Sequence, residues 1–345
     1  MLRNAKIKYL VVRTHGLASH LIDPSEIRSW IFIDDNRVLF DKISQTFYGG
    51  FFERPEDLSD PVKIEEATMR VNFIRANKLI SIARVSPLEE ILRRFMSKYD
   101  LENLRRIVFS HLSGRRLERL SLLPHGSYLY NTEKLLRVER LEDLVELIED
   151  KRISATLSSW LSSEKRNVAE LDLMLTRIYI DSILELFKRK KRNNPLYKIL
   201  LSYLDNLTLG NLLKAKYLKM EKELLEKALS GIPFKKMLEA YVQSDDLEGF
   251  LDKLINIPAY KSVSVEVRDS LKDVGEPWVI EHSVSKRAYV EAVRISLGNP
   301  MSEAYIISYL ISSEWESQSL RTLLLGKISG VSKEVLYNLL VPKEM

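Results

Sequence analysis

The residues best equipped for metal ligation or proton transfer are five histidines, His15, His20, His111, His125 and His282, in a chain of 345 residues that has no cysteine. His15 and His20 are close in sequence, but their i, i+5 spacing does not bring two imidazoles onto one helix face as i, i+4 does. Without thiols, disulfides, thiolate nucleophiles and Cys-bearing zinc or iron–sulfur sites are excluded, which fits an intracellular setting. The histidines read as surface or core residues, and no metal or cofactor is expected.

Phosphate and acyl chemistry fare no better. Gly326-Lys327-Ile328-Ser329-Gly330 joins glycine to lysine but lacks the G-x-x-x-x-G-K-[ST] cradle whose backbone N–H groups hold a nucleotide's phosphates. No G-x-S-x-G elbow occurs, and the carboxylates are scattered so evenly that none stands out as an acid–base pair. The expectation is a protein without a catalytic residue or a small-molecule substrate.

Charge and aromatic clusters offer binding chemistry instead. Lys188-Arg189-Lys190-Lys191-Arg192 could meet nucleic acid or anionic lipid. It could equally close a helix before Asn193-Asn194-Pro195, where cations complement the negative end of the helix dipole, and this is the preferred reading. Lys and Arg exceed Asp and Glu by 53 to 48, a net charge of +5, which suits an anionic neighbour without naming one. A helical scaffold binding nucleic acid through this basic surface is the alternative reading, but acidic stretches such as 139–149 interrupt any continuous basic stripe. Phe40, Phe47, Tyr48, Phe51 and Phe52 form an aromatic group that reads as core before contact surface, with Gly49-Gly50 as its turn.

The elements that must carry these residues are helices. Hydrophobic residues make up 45% of the chain, with 12 glycines and 11 prolines, so breakers are few and helix formers many. No stretch approaches the roughly 18 uninterrupted apolar residues of a membrane helix, and Met1 to Lys8 lacks the apolar core of a secretory signal, so any membrane role is peripheral.

Three segments repeat one pattern: a proline, a helical apolar stripe, then a polar residue, leucine and a base. Pro87-Leu88-Glu89-Glu90-Ile91-Leu92 leads to Asn103-Leu104-Arg105, Pro195-Leu196-Tyr197-Lys198-Ile199-Leu200 leads to Asn211-Leu212-Leu213-Lys214, and Pro300-Met301-Ser302-Glu303 leads to Ser319-Leu320-Arg321. Leu104, Leu212 and Leu320 stand 108 positions apart. Each proline fits the first turn of a helix. Leu88, Ile91, Leu92, Phe95, Met96 and Tyr99 fall on one face of the first, as Leu196, Ile199, Leu200, Tyr203 and Leu204 do in the second. An amphipathic helix is expected before each proline, at 67–83, 168–187 and 283–295. Shorter pieces precede these: Ile27 to Trp30 with Thr46-Phe47-Tyr48, Leu144 to Ile153, and Leu247 to Phe250 with Pro258-Ala259-Tyr260. The expected fold is all-α, three tandem repeats over 1–120, 121–228 and 229–345, jointed at Leu122-Leu123-Pro124-His125-Gly126 and Gly231-Ile232-Pro233.

The repeated signature has two readings. In one, Asn103 and Asn211 bond nearby backbone groups and the following leucines are core. In the other, Arg105, Lys214 and Arg321, with Asn103 and Asn211, face a shared central space and surround a partner.

At these residues the sequence resembles the C subunit family of the archaeal/vacuolar-type rotary ATPases, related to the d subunit of the vacuolar enzyme, over nearly the whole chain. Tyr99-Asp100-Leu101-Glu102-Asn103-Leu104-Arg105 is similar to the family's first-copy signature, and Leu122 to Gly126 to its inter-repeat turn. Tyr309-Leu310 through Glu314-Trp315-Glu316-Ser317-Gln318-Ser319-Leu320-Arg321 and Gly326 to Gly330 resemble its closing helices. Ser319 stands where the family has Asn, and Asn206-Leu207-Thr208-Leu209-Gly210 interrupts the second signature. The resemblance implies a pseudo-three-fold helical funnel without an active site, a central-stalk component of a proton-translocating ATPase or ATP synthase. It would seat the central rotor shaft and rest on the membrane proteolipid ring, peripheral at the cytoplasmic face.

Overall fold

The computed structural model describes residues 2–84, 86–114, 132–135, 137–164, 166–187, 194–221, 225, 229 and 231–340, and among these no strand occurs. The helices are α1 (Leu2–Ala18), α2 (Pro24–Ser29), α3 (Asn36–Ser44), α4 (Pro61–Ala83), α5 (Pro87–Ser113), α6 (Thr132–Leu135), α7 (Leu141–Leu147), α8 (Lys151–Leu161), α9 (Val168–Glu185), α10 (Pro195–Tyr217), α11 (Lys235–Val242), α12 (Leu247–Ile255), α13 (Lys261–Val274), α14 (Trp278–Leu297), α15 (Ala304–Ile328) and α16 (Lys333–Leu340). The fold is all-α. The Leu122–Gly126 joint and the Lys188–Arg192 run lie outside the described residues.

Local chemistry sets the helix starts. Asp23, Asp35, Asp150, Asn167, Asn194 and Asp246 each precede a helix, and each side-chain oxygen accepts a backbone N–H of the first turn that would otherwise lack a partner. Pro87 and Pro195 open α5 and α10 as expected. The 27 residues of α5 extend about 40 Å. Pro300 differs: it sits in a turn closed by Ser302 N–H donating to Asn299 O at 3.0 Å, and its helix begins at Ala304. α14 and α15 pack along one another, so residues 298–303 must reverse the chain, and the proline serves that turn.

α4 and α14 cover and extend the second helices expected at 67–83 and 283–295, and α9 matches the one expected at 168–187 but ends two residues earlier, at Glu185. The piece from Leu144 to Ile153 is divided between α7 and α8, because Asp150 caps a new helix. Asn206 to Gly210 breaks the sequence signature but not the helix: α10 runs through it, and a Cβ on Gly210 would lie 3.6 Å from Val284 of α14. Two residues past the end of α10, Lys219 is a non-glycine residue with φ 53°, and Met220 N–H bonds back to Ala215 O at 2.9 Å.

The chain forms two compact units. The first holds the described residues of 2–72, 194–225 and 231–340; the second those between 73 and 187, with Leu229. In the second, α5 and α9 are the main pair. Tyr179 OH donates to Phe95 O at 3.0 Å and Arg94 to Ser182 O at 2.7 Å, fixing their register. Trp160, on α8, donates its indole N–H to Asn167 O at 2.7 Å.

In the first unit α10, α14 and α15 pack side by side, and α1 lies on α15. Ile27, Trp30, Ile31, Leu39 and Ile43 bury against Leu320, Leu323 and Leu324 of α15 and Leu336 of α16. Each side chain fully removed from water contributes about 1.5–3 kcal/mol. Tyr48 and Phe52 belong to this core, Phe40 and Phe51 pack on it, and Phe47 is exposed. A Cβ on Gly326 would stand 2.5 Å from Leu336 Cδ2, so the glycine is what lets α16 approach α15.

Candidate partner-binding site

Leu104, Leu212 and Leu320 are fully buried on α5, α10 and α15. The residue preceding each differs. Asn103 is fully buried, whereas among the described residues Asn211 Nδ2 and Ser319 Oγ are buried without a hydrogen-bond partner.

The three bases divide between the units. Arg105, in the second, ties α5 to α9: it forms an ion pair with Asp172, donates to Thr176 Oγ1 at 3.0 Å and lies 3.2 Å from Glu102. Lys214 and Arg321 lie in the first, Lys214 contacting the first turn of α14. Lys214 Nζ pairs with Glu281 at 2.8 Å. Arg321 lies close enough to His282, the next residue of α14, for its charge to act on that imidazole. Arg321 is half-buried, and among the described residues no carboxylate lies within salt-bridge distance of it.

His282 is fully buried, its Nε2 2.8 Å from Leu339 O and its ring 4.8 Å from that of Trp315. With Nε2–H donating to the carbonyl, the neutral tautomer satisfies the site. Burial first, and then the charges of Lys286 and Arg321, lower its pKa to about 4. A base whose pKa is depressed in the folded state adds stability above its unfolded value of about 6.5 and loses it as pH falls toward the folded value. Denaturant titrations of the wild type should therefore show a loss on the order of 3 kcal/mol between pH 7 and 4 from this group. His282→Gln, which keeps a donor for Leu339 O, should flatten that slope.

Two of the other residues singled out for chemistry, His15 and Lys327, have structural partners. His15 Nε2 lies 2.8 Å from Pro300 O and the ring stacks on Tyr305 at 3.7 Å. Lys327 donates to Ile31 O at 2.9 Å and Ile33 O at 2.7 Å, so the Gly-Lys pair closes α15 onto the Trp30–Phe32 turn. Burial, as the largest cause, lowers the Lys327 pKa. Among the described residues no three His, Asp or Glu side chains cluster as metal ligands, and no helix is long and apolar enough to cross a membrane.

Sequence patterns missed the polar joint between α10 and α14. Arg287 donates to Asp205 at 3.0 Å and to Asn206 Oδ1 at 2.8 Å, and pairs with Glu291 at 2.9 Å. Tyr260, at the start of α13, donates to Asp205 at 2.6 Å, and Asn206 Nδ2 to Glu291 at 2.9 Å. Burial raises the pKa of both Asp205 and Tyr260. The signal was the Asn206 to Gly210 interruption itself, a polar residue on an otherwise apolar helix face. A second buried seam links Asn72 to Ser313 at 2.7 Å and Ser317 at 3.0 Å, with Tyr48 OH 2.8 Å from Ser317.

Long helices locked by buried polar joints define an all-α protein in which the half-buried Arg321 is paired by no described carboxylate. Residues 10–339 match the family described as ATP synthase (C/AC39) subunit, and the chain belongs to that family. It is similar to the C subunit of the A-type ATP synthase of Methanocaldococcus jannaschii, 22% identical over 98% of this chain and 86% of the relative. The protein of the same name from Thermoplasma volcanium is 20% identical over 93% of this chain and 92% of its own length, and that of Methanococcoides burtonii 22% over 80% and 78%.

Proposed function

We propose that this chain is the non-catalytic central-stalk component of an A-type, proton-translocating ATP synthase, a socket that couples the rotor shaft to the membrane proteolipid ring. The observation that carries this is the family match along residues 10–339, shared with relatives named as C subunits of A-type ATP synthases. The chain lies peripherally at the cytoplasmic face of the membrane. Its three repeats, 1–120, 121–228 and 229–345, surround a pseudo-three-fold axis as a funnel, in support of which α5, α10 and α15 carry fully buried leucines at one 108-residue period. Arg105, Lys214 and Arg321, with Asn103 and Asn211, are the residues offered to the shaft. Torque transmission requires stiff, close-packed helices, and the buried joints supply that stiffness.

The test is assembly from purified parts. The chain should co-elute with the rotor-shaft proteins and with a detergent-solubilised proteolipid ring, while calorimetry of the chain by itself should show no magnesium-dependent ATP binding. Failure to bind either partner, or tight ATP binding, would contradict the proposal. The nucleic-acid reading draws no support from the family or from the relatives' names.

A further inference from the structure

The first helix turns a mixed face outward. Leu10, Val11 and Thr14 of α1 are buried, none more than 1% exposed, on the side where α1 lies on α15. Helical spacing puts Ala5, Tyr9, Val12 and Gly16 down the middle of the opposite face, and all four are exposed, Tyr9 at 56% and Val12 at 55%. Lys8 and Arg13, also exposed, flank that stripe on its two sides. Among the described residues no carboxylate pairs with either of them, and no Asp or Glu precedes Asp23 in the sequence.

The turn between α14 and α15 widens this surface within the same unit. His15, on the Lys8 side of α1, holds the turn through Pro300 O at 2.8 Å and through its stack on Tyr305. Leu297 shares a cavity wall with Ala18 and Ser19, at the end of α1. Leu297 and Met301, on either side of the turn, are 75% and 60% exposed, and among the described residues no large hydrophobic side chain is more exposed than Leu297. Arg294, one helical turn before Leu297, is exposed and has no carboxylate partner among the described residues. Glu303 is the one carboxylate between positions 297 and 303, against the three cations Lys8, Arg13 and Arg294.

Each Lys or Arg near an anionic membrane surface raises affinity about fivefold. A tyrosine ring suits the boundary between headgroups and acyl chains, and Val, Leu and Met side chains gain by leaving water there. Nucleic acid would call for a run of cations along its phosphates, whereas here apolar side chains stand between them. We infer that this face of α1, together with Leu297 and Met301, docks on an anionic lipid bilayer. The partner is lipid and not the proteolipid ring, and only the geometry of this face is used, so the inference stands independently of the central-stalk reading.

Co-sedimentation of the full chain with vesicles tests it, using equimolar phosphatidylglycerol and phosphatidylcholine against phosphatidylcholine alone. The chain should bind the anionic vesicles saturably and the neutral ones about tenfold or more weakly, and added salt should weaken the anionic binding. Lys8→Gln with Arg13→Gln removes two cations, and Tyr9→Ser with Val12→Ser removes the apolar stripe. Each pair should weaken binding about 5- to 30-fold with melting temperature near that of the wild type, because all four side chains are exposed. No binding to anionic vesicles, equal binding to both kinds, or binding untouched by both pairs of substitutions would overturn the inference. Duplex DNA bound more tightly than the anionic vesicles would reassign the face to nucleic acid and overturn it as well.

Discussion

Arg287→Ala is expected to cost about 3–5 kcal/mol of folding stability, the price of leaving buried carboxylates without their cation. Arg287 and Asp205 have side chains 13% and 14% exposed, and the same guanidinium serves Glu291 and Asn206. Its removal leaves two carboxylates between α10 and α14 with no counter-charge from that side. Asp205, whose pKa burial already raises, would take up a proton more readily, so the variant's deficit should shrink as pH is lowered toward the carboxylate range. Asp205→Asn in the Arg287→Ala background should recover part of the loss by removing one uncompensated charge. Urea denaturation of the wild type, Arg287→Ala, Asp205→Asn and the double variant measures this, and a loss below about 1 kcal/mol for Arg287→Ala would mean that the joint contributes little.

The second large effect is on binding. Arg321→Ala should weaken affinity for the rotor shaft by about 5- to 150-fold, as a partly desolvated charge contact is worth about 1–3 kcal/mol. It should do so with little change in melting temperature, because Arg321 gives up no ion pair within the described residues. Arg105→Ala and Lys214→Ala should behave differently, since Arg105 holds Asp172 and Thr176, and Lys214 holds Glu281. Part of their cost should appear as lowered melting temperature. The triple variant should bind more weakly than Arg321→Ala, with less than additive loss if the side chains share one anionic partner. A triple variant that melts lower but binds the shaft normally would remove these residues from the socket and leave the coupling role standing.

Much of the helical framework was legible because its signals are local. Pro87, Pro195 and the stripe Leu88, Ile91, Leu92, Phe95, Met96 follow from backbone sterics and helical spacing, and all five stripe residues are buried. Pro300 misled because a proline suits a turn as well as a first helical position, and the choice depends on α14 and α15 packing together. Tyr99 and Tyr203, also on the apolar stripes, are half-buried, as amphipathic rings often are. The Arg287 joint was not legible: Arg287 and Glu291 at i, i+4 resemble a solvated ion pair until α10 brings Asp205 and Asn206 against them. Arg321 could be named from the repeat, but its lack of a carboxylate partner among the described residues depends on what tertiary packing brings around it.

The central claim is mechanical coupling, and ATP-driven membrane polarisation in vesicles carrying the rotary complex with and without this chain tests it most directly. Without the chain, ATP hydrolysis by the catalytic head should persist while polarisation disappears, and adding back the purified chain should restore polarisation in proportion to the amount bound. Full polarisation in vesicles that lack the chain would contradict the claim.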